Sequence, residues 1–204
     1  MAGKTLWIAY ANPTTPENLI KMQPLLTAGA DLILPGEPLD VVIYSCTSAS
    51  VVIGDARIAA AIHAAKPDAA VVTPTAASVA GLKALGAKRI SVLTPYTVET
   101  SRSMADYFIG LGFRIDRFTC LGFSDDREMA RISPDEIVAF ACEAMAPDSD
   151  ALFISCTAVR AAQVAARIEA EIYKPVVTSN LATAWACLRL CGDTRPRPDL
   201  GRLM

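Results

Sequence analysis

Two cysteines of this 204-residue chain occur in nearly the same sequence context, one in each half. Residues 40–50 read DVVIYSCTSAS, and residues 150–160 read DALFISCTAVR. Each copy has an aspartate, four apolar or aromatic residues and then Ser-Cys-Thr, so Cys46 and Cys156 occupy equivalent positions. A lone buried cysteine usually serves as a small hydrophobic residue. A duplicated one instead indicates two thiols that act together.

Two opposed thiols can move protons at carbon without a cofactor. One thiolate can remove an acidic α-proton while the other thiol delivers a proton to the opposite face. Alternatively, one thiolate can add covalently to an activated double bond while the other thiol supplies the proton. Both routes need the carboxylates of a small substrate to be held by N–H and hydroxyl groups that spread the developing charge. The residue pattern leaves both routes open.

The residues around each cysteine also predict its position. An apolar run followed by small hydroxyl residues and a helical pattern is typical of a strand that leads into a helix N-terminus. In an open α/β sheet this turn lies outside the carboxyl end of the strand, where ligands bind. Free N–H groups and the helix dipole there should lower a thiol pKa and attract anions. We therefore predict that the two copies face each other across one site.

We expect an anion pocket after each cysteine and further hydrogen-bond donors on neighbouring loops. The predicted substrate-binding residues are Thr47 and Ser48 in the first pocket, Thr157 and Ala158 in the second, and Asn12 and Tyr96 on the loops. Other reactive side chains are expected to be structural. These are Cys120, Cys142, Cys187 and Cys191 as small apolar residues, His63 on a helix, and Asp125 and Asp126 in a solvated loop.

Composition narrows the class of protein. The chain has 19 basic and 21 acidic residues, and this balance argues against a nucleic-acid or membrane-surface partner. A hydrophobic fraction of 52 % suits buried parallel strands and allows a homo-oligomer. The N-terminus does not resemble a secretory signal, so we expect a cytoplasmic protein with reduced thiols. The chain has a single histidine and no CxxC pair, so we predict no zinc site. It also lacks a GxGxxG motif, so we predict no nucleotide cofactor.

Strand and helix patterns alternate along the chain, which predicts an α/β fold with mainly parallel sheets flanked by helices. Strands are predicted at 6–11, 31–38, 41–45, 70–72, 90–93, 113–119, 151–155 and 176–178. Helices are predicted at 16–27, 48–65, 76–85, 98–111, 134–145, 159–171 and 181–190. Thr15 and Ser133 are the predicted N-caps of two of these helices, and Gly86 and Gly112 are expected to end two others. The duplicated motif predicts two similar lobes, related by a pseudo-two-fold axis, with the site between them. We assign the first lobe to 1–90, with its last helix able to pack on the other lobe, the second to 91–180, and a C-terminal helix and tail to 181–204.

Several stretches resemble one known superfamily. They are SCTSAS, ALGAKRISVLTPY, DDREMARISPDE, SDALFISCTAVRA and the terminal GRLM. Together they resemble the aspartate/glutamate racemase superfamily, in the branch of maleate cis-trans isomerase, arylmalonate decarboxylase and the ectoine-utilisation protein A group. The resemblance implies a two-lobed, cofactor-free enzyme with Cys46 as nucleophile and Cys156 as proton donor. It also places the family's first-strand asparagine at Asn12 and its site tyrosine at Tyr96.

The chain departs from this pattern in two places. The stretch between Asn12 and Cys46 is shorter than in the family, which predicts that a helix or strand of the first lobe is missing. Isomerases of this branch usually carry an asparagine near the position of Asp126. An acid there would repel a substrate carboxylate unless it were protonated.

Three functions are consistent with these observations. The first is an isomerase or racemase of a small carboxylic acid that uses both cysteines. The second is an arylmalonate-type decarboxylase, which needs only the second-lobe cysteine and a small residue at the first position, so Cys46 argues against it. The third is a non-catalytic sensor domain for a small carboxylate.

Overall fold

The computed structural model describes residues 3–204, so the first two residues of the predicted first lobe lie outside it. The strands in this range are β1 Val41–Ile43, β2 Ala70–Val72, β3 Arg89–Tyr96, β4 Arg114–Phe123, β5 Ala151–Ile154 and β6 Val176–Thr178. The α-helices are α1 Pro16–Ile20, α2 Leu26–Asp31, α3 Thr47–Ile53, α4 Asp55–His63, α5 Pro74–Ala84, α6 Val98–Gly110, α7 Asp126–Met129, α8 Pro134–Ala144, α9 Ala165–Ile172 and α10 Ser179–Leu190. Short 3₁₀ turns lie at Gln23–Leu25, Ala161–Val164 and Pro198–Leu200. None of the helices in residues 3–204 is long and apolar enough to cross a membrane.

The strands form two parallel sheets, as predicted. One sheet contains β1 and β2, and the other has the order β4-β3-β5-β6. Every residue of β5 is buried, which is typical of a strand covered on both faces. Leu93 of β3 lies opposite Ile154 of β5, so these strands end at the same edge of their sheet. The carboxyl ends of the strands therefore bring the residues that follow them together.

The N-terminal part differs most from the sequence prediction. Residues 6–11 form no strand, because their backbone pairs with no neighbouring strand of the first sheet. Instead, Ile8 packs against α2 at Gly29, where a Cβ atom would lie 2.7 Å from the Ile8 side chain. The predicted strand at 31–38 is also wrong. Leu34 and Gly36 have φ angles of 47° and 78°, which an extended strand cannot accommodate.

Several helix and strand boundaries also differ. The helix predicted at 16–27 is divided around Pro24 into α1, a 3₁₀ turn and α2. The helix predicted at 48–65 is interrupted at Gly54, whose φ of 94° is not helical. The segment at 159–171 becomes α-helical only from Ala165, after a 3₁₀ turn. Conversely, β3 continues to Tyr96 and β4 to Phe123, beyond their predicted ends.

Predicted cap residues are confirmed where a helix follows a turn. The Thr15 hydroxyl accepts a hydrogen bond from the Asn18 N–H at the start of α1. Ser133 and Glu136 form a capping box at the start of α8. The positive φ angles of Gly86 and Gly112 end the helices that precede them.

The larger buried cluster reaches both sheets, because it contains Val72 of β2 as well as residues of β3, β5 and β6. Side chains of α5, which follows β2, belong to the same buried cluster as β3 and β5. The C-terminal Leu203 packs on α5 at Gly81, where a Cβ atom would lie 3.1 Å from it. A smaller cluster covers β1 with α2, α3 and α4. The division of the chain at 90 and 180 stays a prediction.

A hydrogen-bond cluster at Asp55 joins the parts of the chain that carry the two sheets. One Asp55 carboxylate oxygen accepts from Thr73 at 2.5 Å and from Thr75 at 2.9 Å, at the end of β2. The other oxygen accepts from the Tyr107 hydroxyl of α6 at 2.7 Å. Burial raises the pKa of Tyr107, so its hydroxyl stays a donor at all ordinary pH values. The cluster therefore connects α4 to α6.

Replacing Tyr107 with Phe should lower the free energy of unfolding by about 1–2 kcal/mol, because one partly buried carboxylate oxygen loses its donor. Chemical denaturation followed by circular dichroism measures this change. Tyr173→Phe is the matched control, since Tyr173 is 78 % exposed. Equal stabilities of the two variants would contradict the role given to the Asp55 cluster.

Candidate active site

Cys46 is the N-cap residue of α3, directly after the first motif strand β1. Its Sγ lies 3.9 Å from the Ser48 hydroxyl and faces the N–H of Ala49. The Ser50 hydroxyl donates to the Cys46 carbonyl at 2.6 Å and so fixes the backbone of the cap. The predicted strand-to-helix turn is therefore confirmed at the first cysteine.

Cys156 follows β5 in a different turn. Its φ of 88° lies in the left-handed region, which is unfavourable for a residue with a side chain. This backbone conformation directs the N–H groups of Ala158 and Val159 at the Cys156 thiol. The donors belong to a tight turn, because the next α-helix begins only at Ala165. The helix N-terminus predicted immediately after Cys156 is therefore wrong, although backbone donors are present.

The two motifs meet in one place. The Thr157 hydroxyl donates to the carbonyl of Ser45 at 3.1 Å, which links the second motif directly to the first. The Tyr96 phenol, at the end of β3, lies beside the Cys156 thiol and the Ser48 hydroxyl, and it is within electrostatic reach of Cys46. The structure therefore gathers both cysteines around one tyrosine. Tyr96 is 2 % exposed, and burial raises its pKa well above the ordinary value.

Burial decides the protonation of both thiols. It raises the pKa of Cys46 and raises the pKa of Cys156 to about 11, although the N–H groups beside each sulfur act in the opposite direction. The charge of Asp126 raises both values further. The expectation that helix ends would lower the thiol pKa values is therefore wrong. Loss of water around each sulfur outweighs the N–H donors that replace it.

Two other predicted binding residues, Thr47 and Asn12, contact other parts of the protein instead of the thiols. Thr47 is fully buried, and its hydroxyl donates to the Ser179 hydroxyl of α10 at 2.9 Å. Asn12 lies on the segment that precedes α1 and is 3.5 Å from the Asp125 carboxylate. That segment is held by a backbone hydrogen bond of 2.8 Å from Thr14 to Ser124. Of the predicted set, Ser48, Tyr96 and the Ala158 N–H face the thiols directly.

Two residues near the thiols were not among the predicted binding residues. The Tyr10 hydroxyl bonds to Thr14, and burial raises the pKa of Tyr10 with contributions from Asp126 and both cysteines. Asp126 was expected in a solvated loop, but it is half-buried, and burial raises the pKa of its carboxyl. Tyr10 could have been found from its position two residues before Asn12. The family resemblance singled out position 126, but the residues themselves give no signal that distinguishes Asp126 from its neighbour Asp125.

Reactive side chains away from Cys46 and Cys156 differ in how far they are buried. The cysteines are all free, and Cys187 is buried whereas Cys142 and Cys191 are exposed, contrary to the prediction that they are small core residues. The His63 ring bonds to the carbonyl of Ala69 at 3.0 Å, as expected for a structural residue. Within residues 3–204, no group of three or more His, Cys, Asp and Glu side chains is arranged to hold a metal ion.

The raised thiol pKa values predict how labelling depends on pH. Because only the thiolate reacts, the alkylation rate of Cys156 by iodoacetamide should rise about tenfold per pH unit up to about pH 11. Mass spectrometry of peptides after timed labelling gives this rate, and the exposed Cys191 serves as reference within the same sample. A Cys156 rate that levels off below pH 8 would contradict the protonation described above.

The sequence is similar to one family model and to enzymes of two kinds. Residues 36–204 match the sequence model described as arylmalonate decarboxylase. Arylmalonate decarboxylase of Bordetella bronchiseptica is 31 % identical over 134 residues, which are 64 % of this chain and 56 % of that enzyme. Maleate isomerase of Nocardia farcinica is 28 % identical over 173 residues, which are 81 % of this chain and 69 % of that enzyme.

Solved structures agree with the sequence matches. A variant of arylmalonate decarboxylase in its liganded form has a TM-score of 0.86 at 27 % identity, over 96 % of this chain and 85 % of that one. A variant of Nocardia farcinica maleate cis-trans isomerase with a covalently bound succinylcysteine intermediate also has a TM-score of 0.86, at 26 % identity, over 94 % of this chain and 81 % of that one. The chain therefore belongs to the arylmalonate decarboxylase family, in the branch of the aspartate/glutamate racemase superfamily that includes the maleate isomerases.

Proposed function

We propose that the protein is a cofactor-independent isomerase of a small carboxylic acid, of the maleate cis-trans isomerase or amino-acid racemase type. Cys46 acts as nucleophile or base, and Cys156 acts as proton donor. The observation that carries this proposal is the meeting of two duplicated Ser-Cys-Thr segments around Tyr96. A decarboxylase needs one thiol for its single proton transfer. An isomerase or racemase uses two, one as base or nucleophile and one as proton donor.

The surroundings of the thiols support different roles for them. Cys156 is 5 % exposed, and its pKa of about 11 keeps it protonated at neutral pH, as a proton donor requires. Cys46 is more exposed, and as the N-cap of α3 it faces the amide of Ala49 at a helix N-terminus. A thiolate is better stabilised in that position. Two neighbouring thiolates would repel each other, so at most one of the two loses its proton, and we assign that role to Cys46.

On an alkene substrate the pair would act by addition and elimination. The Cys46 thiolate forms a C–S bond to one alkene carbon, and the displaced π electrons move to the other carbon and its carboxylate. Cys156 gives its proton to that carbon, which leaves a single bond that can rotate. The Cys156 thiolate then takes a proton back while the C–S bond breaks and returns the electron pair to sulfur. The product is the isomerised alkene, and both cysteines recover their starting protonation.

Neighbouring donors would stabilise the charge that develops on the substrate. The N–H groups of Ala158 and Val159 and the hydroxyls of Ser48 and Tyr96 line the cleft around the sulfurs. Such fixed donors are effective in a site from which water is excluded. The succinylcysteine intermediate of the Nocardia farcinica isomerase is the kind of adduct that this route would form on Cys46.

Two other functions compete with this proposal. The family match favours an arylmalonate-type decarboxylase, in which one thiol protonates the carbanion left by loss of carbon dioxide. A cysteine at position 46 is then unnecessary, which is why we rank this reaction second. In a sensor domain the same cleft would bind a small carboxylate without chemistry.

Single cysteine variants should separate the roles. With maleate, Cys46→Ala should form no covalent adduct, because it lacks the nucleophile. Cys156→Ala should accumulate a succinyl adduct on Cys46, because water can protonate the carbon in place of Cys156 but no thiolate is present to take that proton back for elimination. Intact-protein and peptide mass spectrometry detect a mass increase equal to one maleate. Cys142→Ala, at an exposed position, is the control and should behave as the parent protein.

An adduct on Cys156 in the Cys46→Ala variant would reverse the assigned roles. A racemase-type reaction gives a different pattern, because it forms no adduct. The α-hydrogen of aspartate or glutamate would then exchange with solvent deuterium, and each single variant would lose exchange from one enantiomer first.

Turnover assays with defined acids should rank the three functions. The parent protein, folded and with reduced thiols, should convert maleate to its trans isomer or racemise an acidic amino acid. Absorbance and chiral chromatography measure the two products. Release of carbon dioxide from an arylmalonate would favour the decarboxylase instead. Binding of these acids without any turnover would favour the sensor domain.

A further inference from the structure

The first turn of α10 contacts both cysteine motifs. Ser179, the first residue of the helix, accepts a hydrogen bond of 2.9 Å from the hydroxyl of Thr47, which directly follows the first cysteine. Asn180, the second residue, donates from its side-chain amide to the carbonyl of Thr157 at 3.0 Å. Thr157 directly follows the second cysteine. Two consecutive residues of one helix therefore hold the equivalent threonines of the two motifs.

The start of α10 is itself held by several contacts. Thr178 at the end of β6 lies opposite Ile154 of β5, and the Thr178 hydroxyl caps the helix. The Thr183 hydroxyl donates to the Ser179 carbonyl at 2.7 Å, and Ser179 is fully buried. The Asn180 side chain is therefore attached to a fixed point next to the carboxyl end of β5, from which the second cysteine follows.

Asn180 contacts the peptide group that Thr157 shares with Ala158. This peptide bond is trans, so its C=O and its N–H point in opposite directions within one plane. When the carbonyl is fixed toward Asn180, the Ala158 N–H must therefore point the other way, and on that side it faces the Cys156 thiol. The Thr157 hydroxyl holds the same residue from another direction, through its hydrogen bond of 3.1 Å to the Ser45 carbonyl.

The turn after Cys156 needs such a contact, because its own backbone does not fix the orientation of this peptide. Cys156 has a φ of 88°, and the next α-helix begins only at Ala165. In a tight turn the central peptide can take either of two orientations, which distinguish the common turn types. A donor on the carbonyl side selects one of them, and here that donor is the amide of Asn180.

We propose that Asn180 is a positioning residue of the active site, which fixes the Thr157–Ala158 peptide so that the Ala158 N–H can bind a substrate carboxylate. The inference rests on the proposed function, in which N–H groups beside the sulfurs hold the substrate, and it names the residue that orients one of these donors. Asn180 acts through the peptide and does not contact the substrate. A donor that is oriented in advance stabilises the developing negative charge without reorganisation during the reaction.

Amide hydrogen exchange tests this role at the peptide itself and requires no turnover. Asn180→Leu keeps nearly the same side-chain shape but lacks the N–H donor. Thr183→Val is the matched control, because it also replaces a polar group of α10 by an apolar one of the same shape, and it removes the hydrogen bond to Ser179. Two-dimensional NMR after transfer to deuterium oxide measures the exchange rate of the Ala158 amide in the parent protein and in both variants.

We expect the Ala158 amide to exchange about three- to tenfold faster in Asn180→Leu, because the loss of one hydrogen bond shifts the peptide toward its other orientation by about this factor. In Thr183→Val the rate should stay that of the parent protein, since the contact to the Thr157 carbonyl is intact. An unchanged rate in Asn180→Leu would overturn the proposal. An equal acceleration in Thr183→Val would also overturn it, because the effect would then come from a general loss of stability in α10.

A second measurement tests whether the oriented N–H binds a carboxylate. Succinate should protect Cys156 from iodoacetamide, and peptide mass spectrometry gives the succinate concentration that halves the labelling rate. This concentration does not depend on the thiolate fraction of the free protein. It should be about threefold or more higher in Asn180→Leu than in the parent protein or in Thr183→Val. Equal protection of the three proteins, or protection of none of them, would overturn the proposal.

Both measurements are independent of catalysis, so the proposal and the proposed function can fail separately. If the exchange and protection results hold but the protein converts no acid, the isomerase proposal fails and the role of Asn180 stands. If acids are converted but Asn180→Leu changes neither the exchange nor the protection, the role of Asn180 fails and the isomerase proposal stands.

Discussion

The parallel pairing of β3 with β5 decides which side chains can meet in this molecule. Leu93 lies opposite Ile154, and the hydrogen bond of 2.9 Å from the Ser155 N–H to the Leu93 carbonyl extends the ladder to the last residue before the second cysteine. Tyr96 and Cys156 therefore leave the sheet side by side. The first motif joins them from the other sheet through the Ser45 carbonyl. A shift in this register by one residue would turn Tyr96 to the opposite face and separate it from both thiols.

The pKa values of the two thiols depend on a balance between the loss of water around each sulfur and the gain of N–H donors. The donors beside Cys46 and Cys156 are those that lower a thiol pKa in more open sites. Here the cleft is so well covered that burial outweighs them, and Asp126 adds a like charge. The resting thiols are therefore weak acids. A bound substrate that brings its own hydrogen bonds and excludes further water would then meet a protonated donor, which protonation at carbon requires.

The sequence predicts well the features that depend on local patterns. The strands at 70–72 and 176–178, the cap residues Thr15 and Ser133, and the turn at Cys46 all follow from short-range rules, and the structure confirms them. Features that depend on partners distant in the chain were missed. Residues 6–11 have the composition of a strand but find no neighbouring strand, and the charge of Asp126 acts on both thiols although the sequence placed it in a solvated loop. Thr47 was assigned to the substrate, yet its hydroxyl is bound to α10, which a single sequence cannot reveal.

A sheet of only two strands, β1 and β2, can still position Cys46, because the contacts that hold α3 come from elsewhere in the chain. Thr47 is bound to Ser179 of α10, and the turn before α3 is bound to Thr157. The following helix α4 is connected to α6 through Asp55 and Tyr107. These contacts replace the support that additional strands would give to a larger sheet. The relative position of the two thiols is thus set mainly by the four-stranded sheet and its helices, whereas the N-terminal segment brings Tyr10 near them. Changes in that segment should therefore alter which acids enter before they alter the geometry of the cysteine pair.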